Sequence, residues 1–384
     1  MWTKDASRSI DYIETRRDLD ARRAPRRSRS MEQRIHFCNT GDGVRIAYGT
    51  VGQGAPLVKA ANWLSHLEYD LQSPVWRHWI AELSRGHTFV RYDGRGCGLS
   101  DWDVSDLSFE AWVRDLETVV DAARVERFAL LGLSQGGAIA IAYAVRHPDR
   151  VTHLVLHGAF ARGALRRNPT ARQRKEAEMM VELAELGWGK ENPAFRQFFT
   201  SLFIPDGTPE QHRWWNRLEQ VTTSPANAAR FMRVLGDIDV TAIAPRVACP
   251  TLVLHAVRDA RVPFDEGRLL ASLVPGARFV PIESGNHVLL EHEPAWRRWL
   301  EEVRAFLPLA RGDGGAFARL TSRQSELVEL IAQGLDNAEI AARIGVSEKT
   351  VRNHITAIFA KLEVANRSRA IVLARDAGFG KKTS

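Results

Sequence analysis

The sequence predicts an α/β domain, a mostly parallel sheet with helices on both faces, followed by a small all-α domain. Three observations support this fold class. The chain has 384 residues and 45% hydrophobic content, which is enough for two buried cores. Between residues 34 and 307, short apolar runs alternate with helical runs, as in β-α units. After residue 318, the sequence consists of short helical segments that have their own capping residues.

The strand-like runs of the first domain are short, apolar and separated by turns or helical segments. They begin with a hairpin whose turn is Asn39–Gly43. The later runs are Pro56–Ala61, Thr88–Tyr92, Phe128–Leu133, Val151–Leu156, Thr251–Val257 and Arg278–Ile282. Helical segments lie between them at Trp76–Leu83 and Phe109–Ala123, and Glu293–Phe306 closes the domain.

The alternation stops between about Phe160 and Ala242, where helical segments and many aromatic residues replace the strands. We interpret this part as a helical lid insertion (residues 160–242) that lies over the sheet. Its aromatic side chains either line a substrate pocket or attach the insertion to the rest of the domain. Residues 308–317 have the composition of a linker, so we place the first domain at 31–307 and the second at 318–384.

The net charge of +7 is distributed unevenly along the chain. Residues 1–30 hold nine Lys or Arg against five Asp or Glu, and residues 318–384 hold eleven against seven. The residues between them are nearly neutral. This distribution predicts one domain that handles a small molecule and another that meets a polyanion. We interpret residues 1–30 as a disordered basic extension, with a nucleic-acid-binding arm as the alternative.

The composition excludes several other protein classes. No run approaches the roughly 20 apolar residues that a membrane span needs, and no apolar core follows the N-terminal charges as in a secretory signal. The three cysteines are widely spaced, which fits neither a disulfide framework nor a metal site. We therefore expect a cytoplasmic protein that has no membrane contact and needs no metal or cofactor.

A G-x-S-x-G pattern at Gly132, Ser134 and Gly136 lies where an apolar strand ends and a helical segment begins. This turn is so tight that the flanking positions must lack a Cβ, and it exposes the serine hydroxyl at the edge of the sheet. Ser134 is therefore a candidate nucleophile. The alternative is an ordinary serine that caps the following helix.

A nucleophilic serine needs a base to take its proton, and the base needs a third group to fix its tautomer. Asp259 follows the strand-like run Thr251–Val257, and His287 follows the run Arg278–Ile282. Because the carboxyl ends of parallel strands meet at one edge of a sheet, we expect both side chains to lie near Ser134.

In the order Ser134, Asp259, His287, these residues resemble the catalytic triad of the α/β-hydrolase fold family. The resemblance covers residues 35 to 307. It implies that Ser134 is the nucleophile, that His287 is the general base and then the acid, and that Asp259 orients His287.

Three further acids lie near the expected site. Asp265 and Glu266 are the nearest rivals of Asp259, although they lie at what looks like the start of the following helix. Asp93 resembles the acid of the family's D-x-x-G-x-G-x-S turn, and we interpret it as structural.

The sequence departs from the family where the oxyanion hole is expected. Acyl transfer needs two backbone N–H donors aimed at the developing oxyanion. The resemblance assigns one donor to Gln135 and the other to the loop after the second strand-like run. Many family members have His-Gly in that loop, whereas this sequence has Ala61-Asn62 and then Trp63. Trp63 N–H is the candidate second donor, and the bulkier loop leaves turnover open.

The C-terminal residues predict four helices. These helices are Thr321 to about Ala332, Ala338–Ile344, Ser347 to about Leu362, and a fourth that begins near Arg367. Thr321 and Gln324 form a capping-box pattern, Gly334 is a stop signal and Ser347 caps the third helix. A short helix, a tight turn and a capped helix make a helix-turn-helix, whose second helix can enter the major groove of DNA.

About sixty C-terminal residues closely resemble the LuxR-type DNA-binding domain. The matching residues are Leu320-Thr321-Ser322-Arg323, Gly334, Asn337-Ala338-Glu339-Ile340-Ala341, Ser347, Thr350-Val351, His354, Ile358, Lys361-Leu362 and Arg367. The resemblance implies that Arg352, Asn353 and Thr356 face the groove. It also implies that Lys349, Thr350, His354 and Lys361 lie near phosphates, that Val351, Ile355 and Ile358 pack inward, and that the fourth helix mediates a homodimer.

These resemblances lead to several functional hypotheses. The favoured one is a DNA-binding transcription regulator whose α/β-hydrolase domain senses a small apolar ester-, lactone- or amide-like ligand and is also able to hydrolyse it. The alternative is an active serine hydrolase with an appended regulatory module, and a third is a receptor that keeps the triad without turnover. We favour the first because a DNA-binding domain has few other uses, whereas hydrolase-type folds host binders as well as catalysts.

Overall fold

The structure is a computed structural model that describes residues 31–190, 193–307, 317, 320–362, 364–377 and 379–380. The predicted basic extension at residues 1–30 lies outside the described residues, as does most of the predicted linker at 308–317.

Eight strands of the described residues form a single sheet. They are β1 Gln33–Asn39, β2 Arg45–Val51, β3 Ala55–Ala60, β4 His87–Tyr92, β5 Phe128–Leu133, β6 Val151–His157, β7 Thr251–Ala256 and β8 Arg278–Ile282. Their order across the sheet is β1-β2-β4-β3-β5-β6-β7-β8. The pairs β1-β2 and β2-β4 are antiparallel, and all other pairs are parallel, which confirms the predicted hairpin and mostly parallel sheet.

The central strands are apolar because helices cover both faces of the sheet. Every residue of β5 and of β7 is buried, as expected for parallel strands inside an α/β domain. Strands β5, β6, β7 and β8 run in the same direction, so the residues that follow each of them lie at one edge of the sheet. That edge positions the candidate site.

The helices predicted at Trp76–Leu83, Phe109–Ala123 and Glu293–Phe306 lie close to those positions, whereas the short helix Leu67–Leu71 was not predicted. The helices of the first domain outside the insertion are α1 Leu67–Leu71, α2 Arg77–Leu83, α3 Phe109–Ala122, α4 Gln135–Arg146, α9 Phe264–Leu273 and α10 Pro294–Phe306. Helix α3 begins at Ser108, whose side chain accepts a hydrogen bond from Ala111 N–H. Helix α4 follows Ser134 directly and is almost entirely buried, so it serves as the packing partner of β5.

The predicted insertion is helical, as the absence of strand signals indicated. Its helices are α5 Ala171–Gly187, α6 Pro193–Phe203, α7 Pro209–Thr222 and α8 Pro225–Asp237. Helices α5 and α7 begin with complete capping boxes, at Thr170 and Thr208. The insertion is attached to the sheet domain by aromatic stacking, in which Trp188 lies 5.0 Å from Trp63 between ring centroids.

The C-terminal residues form a separate helical core. Its helices are α11 Ser322–Ala332, α12 Asn337–Ile344, α13 Glu348–Leu362 and α14 Arg367–Asp376, in agreement with the prediction. Capping boxes at Thr321 and Asp336 start the first two helices. Buried residues from α11, α12, α13 and α14 form one apolar cluster.

Within the described ranges, no helix is long and apolar enough to cross a membrane.

Candidate active site and candidate DNA-binding surface

Ser134 occupies a strained turn between β5 and α4. Its φ of 55° and ψ of −125° are unusual for a residue with a side chain. Both flanking positions have room only for glycine. A Cβ on Gly132 would lie 2.5 Å from Gly137 Cα, and a Cβ on Gly136 would lie 2.9 Å from Ala60 O. The turn therefore has the geometry of a nucleophile elbow, and the serine stays half-exposed although its neighbours are buried.

Asp259 and His287 are in direct contact at the same edge of the sheet. Asp259 Oδ2 lies 2.7 Å from His287 Nδ1, while Asp259 Oδ1 accepts hydrogen bonds from the N–H groups of Arg261 and Val262 at 2.8 and 2.9 Å. Burial by itself would raise the pKa of Asp259, but His287 and the Val262 N–H outweigh burial and hold that pKa below its ordinary value. Asp259 is therefore ionised at neutral pH and fixes Nδ1 of His287 as the protonated nitrogen.

The opposite nitrogen of His287 is available for proton transfer. Its Nε2 atom is buried and has no hydrogen-bond partner in the described part of the chain, where no hydrogen bond joins it to Ser134. Hydrogen bonds of this kind are often long without substrate and shorten in the reacting complex. The structure thus unites two predicted residues, Asp259 and His287, and places Ser134 in the wall of a neighbouring cavity.

The rival acids serve other purposes. Glu266 is buried and accepts hydrogen bonds from the N–H groups of Ala161 and Arg162, and it pairs with the Arg162 guanidinium at 2.9 Å. Asp265 is exposed and pairs with Arg268. Neither contacts His287, so only Asp259 has the position of a triad acid.

Asp93 is fully buried and is structural, as interpreted from its turn. Its carboxylate accepts hydrogen bonds from Ser65 Oγ and from the N–H groups of Leu67 and Leu99, at 2.9 to 3.0 Å. It therefore ties the segment before α1 to the turn after β4.

Three residues around the Asp259–His287 pair were missed in the sequence. Gly158 follows β6 with φ +54°, and a Cβ there would lie 2.9 Å from His287 Cε1. His157 Nε2 contacts the carbonyl oxygen of His287 at 3.2 Å, and His255 Nε2 lies 3.7 Å from Asp259 Oδ2. Their place in the sequence could have indicated two of them, because His157 ends β6 and Gly158 follows it, at the edge of the sheet where Ser134 and Asp259 also lie.

The two candidate oxyanion donors are Gln135, within the elbow itself, and Trp63, in the loop after β3. Gln135 is the first residue of α4, so its N–H belongs to the group of helix N–H donors without an intrahelical partner. Trp63 is buried, lines the same cavity as Ser134, and its carbonyl accepts hydrogen bonds from Cys97 Sγ and Thr222 Oγ1. Both backbones are therefore held firmly, although their aim at an oxyanion stays a prediction.

Asn62 is one of the two residues that stand where many members of the family have His-Gly in the oxyanion loop, and its side chain does not enter the cavity. Its side chain turns inward, where Oδ1 accepts from Lys59 Nζ and Nδ2 donates to Leu64 O at 3.1 Å. Asn62 is absent from the cavity wall, whereas Trp63 belongs to it. The bulk that this loop adds to the cavity wall is thus Trp63, which is buried.

The cavity above Ser134 has a volume of about 540 Å³ and lies between the sheet edge, α5 and α8. Such a volume suits a small organic ligand. Its apolar residues include Phe160, Leu165, Met180, Val181, Met232, Leu235 and Val262, and its cationic residues include Arg167 and Arg261. The aromatic residues of α6 and α7 do not line it. Trp215 stacks on Trp76 at 6.3 Å and Phe203 packs against the ring of His287 at 5.8 Å, so these two attach the insertion to the domain.

Helix α13 presents separate inner and outer faces. Val351, Ile355, Ile358 and Leu362 are buried at helical spacing, as predicted for the first three. Lys349, Arg352, Asn353 and Thr356 are exposed and also follow helical spacing. The turn before α13 contains Gly345 with φ 70°, which ends α12 in the left-handed conformation.

The other predicted phosphate contacts are less exposed. Thr350 and His354 are half-buried beside the exposed stripe, and Ser347 Oγ accepts a hydrogen bond from Thr350 N–H at 3.2 Å. Lys361 is also half-buried and donates to Gln324 Oε1 at 2.7 Å. Lys361 therefore links α13 to the capping box of α11, a structural contact that the sequence did not reveal.

Comparison with known proteins agrees with both parts of this description. Residues 70–294, more than half of the chain, match the family described as alpha/beta hydrolase fold. Residues 318–374 match bacterial regulatory proteins of the luxR family.

Individual proteins resemble the first domain at low identity. AB hydrolase superfamily protein YisY from Bacillus subtilis is 28% identical over 66% of this chain and 92% of its own length. Pyrrolizixenacetamide deacetylase from Xenorhabdus hominickii is 27% identical over 65% of this chain and 90% of its own. Among solved structures, an esterase from Exiguobacterium antarcticum superposes with a TM-score of 0.60 at 23% identity, over 70% of this chain and 98% of its own. The chain thus belongs to the alpha/beta hydrolase fold family and carries, fused to its hydrolase-fold domain, a LuxR-type DNA-binding domain.

Proposed function

We propose that this protein is a transcription regulator whose hydrolase-fold domain senses a small ester-, lactone- or amide-like ligand in the cavity above Ser134. The observation that carries the proposal is the combination of that cavity with a DNA-binding domain in one chain. An enzyme of metabolism does not need the second domain, whereas a ligand-controlled regulator needs both. For the ligand to control DNA binding, it must bind more tightly to one of two states of the protein, the state that binds DNA or the state that does not.

The same cavity supports a hydrolytic step. Ser134 Oγ would attack the carbonyl carbon of the ligand while its proton passes to Nε2 of His287. The proton would then move from His287 to the leaving alcohol or amine as the bond to that group breaks, and water would release the acid in a second round. Ionised Asp259 stabilises the imidazolium formed in each step. The name of the deacetylase relative supports a carbonyl compound of this kind.

DNA recognition is assigned to the exposed stripe of α13. Arg352, Asn353 and Thr356 would read base edges in the major groove, while Lys349, Thr350 and His354 would contact phosphates. Val372 on α14 is 54% exposed, and an apolar residue in that position supports dimerisation through the fourth helix. A homodimer would bind two half-sites related by symmetry.

The test is selection of bound sequences from a random pool of double-stranded DNA with the full chain. We expect enrichment of a two-fold symmetric sequence, and loss of that enrichment in Arg352→Ala. Arg268→Ala, an exposed arginine on α9 of the first domain, is the matched control and should select the same sequence as the wild type. Failure of the wild type to enrich any sequence would overturn the regulator assignment.

A further inference from the structure

The charged residues around the cavity differ in exposure and pairing, and this difference bears on the chemistry of the ligand. The inference rests on the proposed function, because it concerns what the cavity above Ser134 binds. Most of the wall is apolar, but three arginines contribute to it. Arg233 is exposed and pairs with Glu185 at 3.0 Å, whereas Arg167 and Arg261 are less exposed. Charged groups in an apolar wall are costly unless they are paired, so each cation needs a partner.

Arg167 has partners within the protein. Its Nε donates to Arg162 O at 2.8 Å and lies 3.5 Å from Glu266 Oε1, and its guanidinium stacks over the ring of Phe160. Glu266, however, already pairs with Arg162 at 2.9 Å. One carboxylate therefore serves two arginines, which leaves this wall with an excess of positive charge.

Arg261 has no such partner. Its backbone N–H is committed to Asp259, while its guanidinium lies over the ring of Phe203 at 5.7 Å. No carboxylate of the described residues forms an ion pair with that guanidinium, and Asp259 is occupied by two backbone N–H groups and His287. Burial lowers the pKa of Arg261 and the nearby Arg167 lowers it further, while the charge of Asp259 raises it in part; a guanidinium remains charged at neutral pH.

The acidic residues that line the cavity are all exposed. They are Glu178 and Glu182 on α5, and Asp237, which pairs with Arg166 at 3.4 Å. Exposed charges are screened by water and salt, whereas a guanidinium in an apolar wall is screened much less. Among the charged groups of the wall, Arg167 and Arg261 are therefore the least screened, and they favour an anionic partner.

The loop that carries Arg261 also fixes it relative to the candidate site. Arg261 lies two residues after Asp259, and Phe203 beneath its guanidinium packs edge-on against the His287 ring at 5.8 Å. Arg261 and Ser134 line the same cavity. An anionic group bound at Arg261 would thus hold an apolar ligand with its other end near Ser134.

We infer that the ligand carries a free carboxylate, which pairs with Arg261 near Arg167 while the apolar body fills the cavity. A guanidinium is suited to this group because its planar N–H donors match both carboxylate oxygens. The substrate class is therefore an ester, lactone or amide that contains an additional carboxylate.

Three compounds with one carbon skeleton test this inference by titration calorimetry on the full chain: 4-phenylbutyrate, 4-phenyl-1-butanol and 4-phenylbutylamine. We expect wild type to bind the carboxylate roughly 10- to 100-fold more tightly than the alcohol, as for a charge-assisted pair. In Arg261→Met this preference should disappear while the alcohol still binds, which shows that the cavity is intact. Arg261→Lys should restore part of the preference, and Arg268→Met should retain all of it.

Equal binding of the acid and the alcohol by wild type would overturn the inference, as would an unchanged preference in Arg261→Met, which would place the anion at the oxyanion donors instead. Tightest binding of the amine would overturn it too, because Glu178 and Glu182 would then dominate. In each of these cases the cavity still binds small molecules, so the proposed sensing function stands. If none of the three compounds binds, the sensing function fails together with the inference.

Discussion

Gly158 packs so closely against His287 that a Cβ at position 158 would lie 2.9 Å from Cε1 and 3.1 Å from Nδ1 of the imidazole. The residue also has φ +54°, a conformation that favours glycine. Both the backbone conformation and the contact with His287 therefore disfavour a side chain at position 158. The imidazole is thus held on one side by Asp259 and on another by the bare Cα of Gly158.

Gly158→Ala is therefore expected to displace His287 and to slow reaction of Ser134 with a fluorophosphonate probe by at least about tenfold. Gly276→Ala is the matched control, because Gly276 has φ +66° but nothing within 4 Å of its added Cβ. Each substitution should lower the free energy of unfolding by about 1 kcal/mol through backbone strain. If both variants react as fast as wild type, Gly158 does not position His287.

Ser134 should be the residue that the fluorophosphonate labels. We expect one label per chain in wild type and none in Ser134→Ala, measured by intact mass. Both proteins should unfold at similar temperatures, since the serine hydroxyl makes no buried hydrogen bond in the described residues. Labelling of Ser134→Ala would assign the nucleophile to another residue, and an unlabelled wild type would favour a receptor without turnover.

Asp259→Asn should retain the fold but lose most of the labelling rate. An amide at this position donates toward Nδ1 of His287 and stabilises the wrong tautomer, which costs on the order of 10³ to 10⁴ in rate in serine-histidine systems. Asp265→Asn is the control, because Asp265 is exposed and pairs with Arg268. Equal rates in the two variants would remove Asp259 from the proposed triad.

Acid should destabilise the first domain through His157. Burial lowers the pKa of His157 to about 3, so the unfolded chain binds a proton at this residue below about pH 6.5 that the folded chain does not. Stability is then complete above about pH 6.5 and decreases as the pH falls, by about 2 kcal/mol between pH 6.5 and 5. His157→Gln should show a shallower pH dependence, and an identical slope would assign the effect to other buried histidines.

Urea unfolding followed by tryptophan fluorescence makes this measurement specific. All 11 tryptophans precede residue 300, so the signal reports no unfolding in the C-terminal domain.

The salt dependence of DNA binding should separate two kinds of contact on α13. Lys349→Ala is expected to weaken binding to all DNA sequences and to reduce the salt slope by about one, because one phosphate contact is lost. Arg352→Ala should instead cost about 1 to 3 kcal/mol on the selected sequence and little on random DNA. Both side chains are exposed on the same face of α13, so neither substitution should unfold the domain, and the fold of each variant is compared with that of the wild type as the control. Identical effects on selected and random DNA would contradict base recognition by Arg352.

The sheet, the turn at Ser134 and the closeness of Asp259 and His287 could be predicted from the sequence, because each depends on a local pattern or on the position of a residue after a strand. Apolar runs such as Phe128–Leu133 define strands, and a strained serine between glycines requires a motif that is visible in one stretch. Asp259 and His287 were found from the rule that residues after parallel strands share an edge. The helices around Val351 and Ile355 followed from capping residues and spacing.

Other features depend on contacts between distant segments, and the sequence could not reveal them. The cavity exists because α5 and α8 pack over the elbow, and nothing in Met180 or Met232 alone indicates which residues face each other. Arg261 lacks an ion-pair partner among the described residues because Asp259, the acid nearest to it in sequence, is occupied by His287 and by two backbone N–H groups. The resemblance to the LuxR-type domain implied a phosphate contact for Lys361, which stays a prediction, but its contact with Gln324, 37 positions away, could not be foreseen.

In the proposed regulator, occupation of the cavity above Ser134 controls DNA binding. The most direct test compares the affinity of full-length protein for its selected DNA before and after covalent modification of Ser134 by a fluorophosphonate. We predict a change of at least about fivefold, the lower end of typical allosteric coupling, and no change when Ser134→Ala is treated with the same reagent. Equal affinity of the modified and unmodified wild type would contradict the claim.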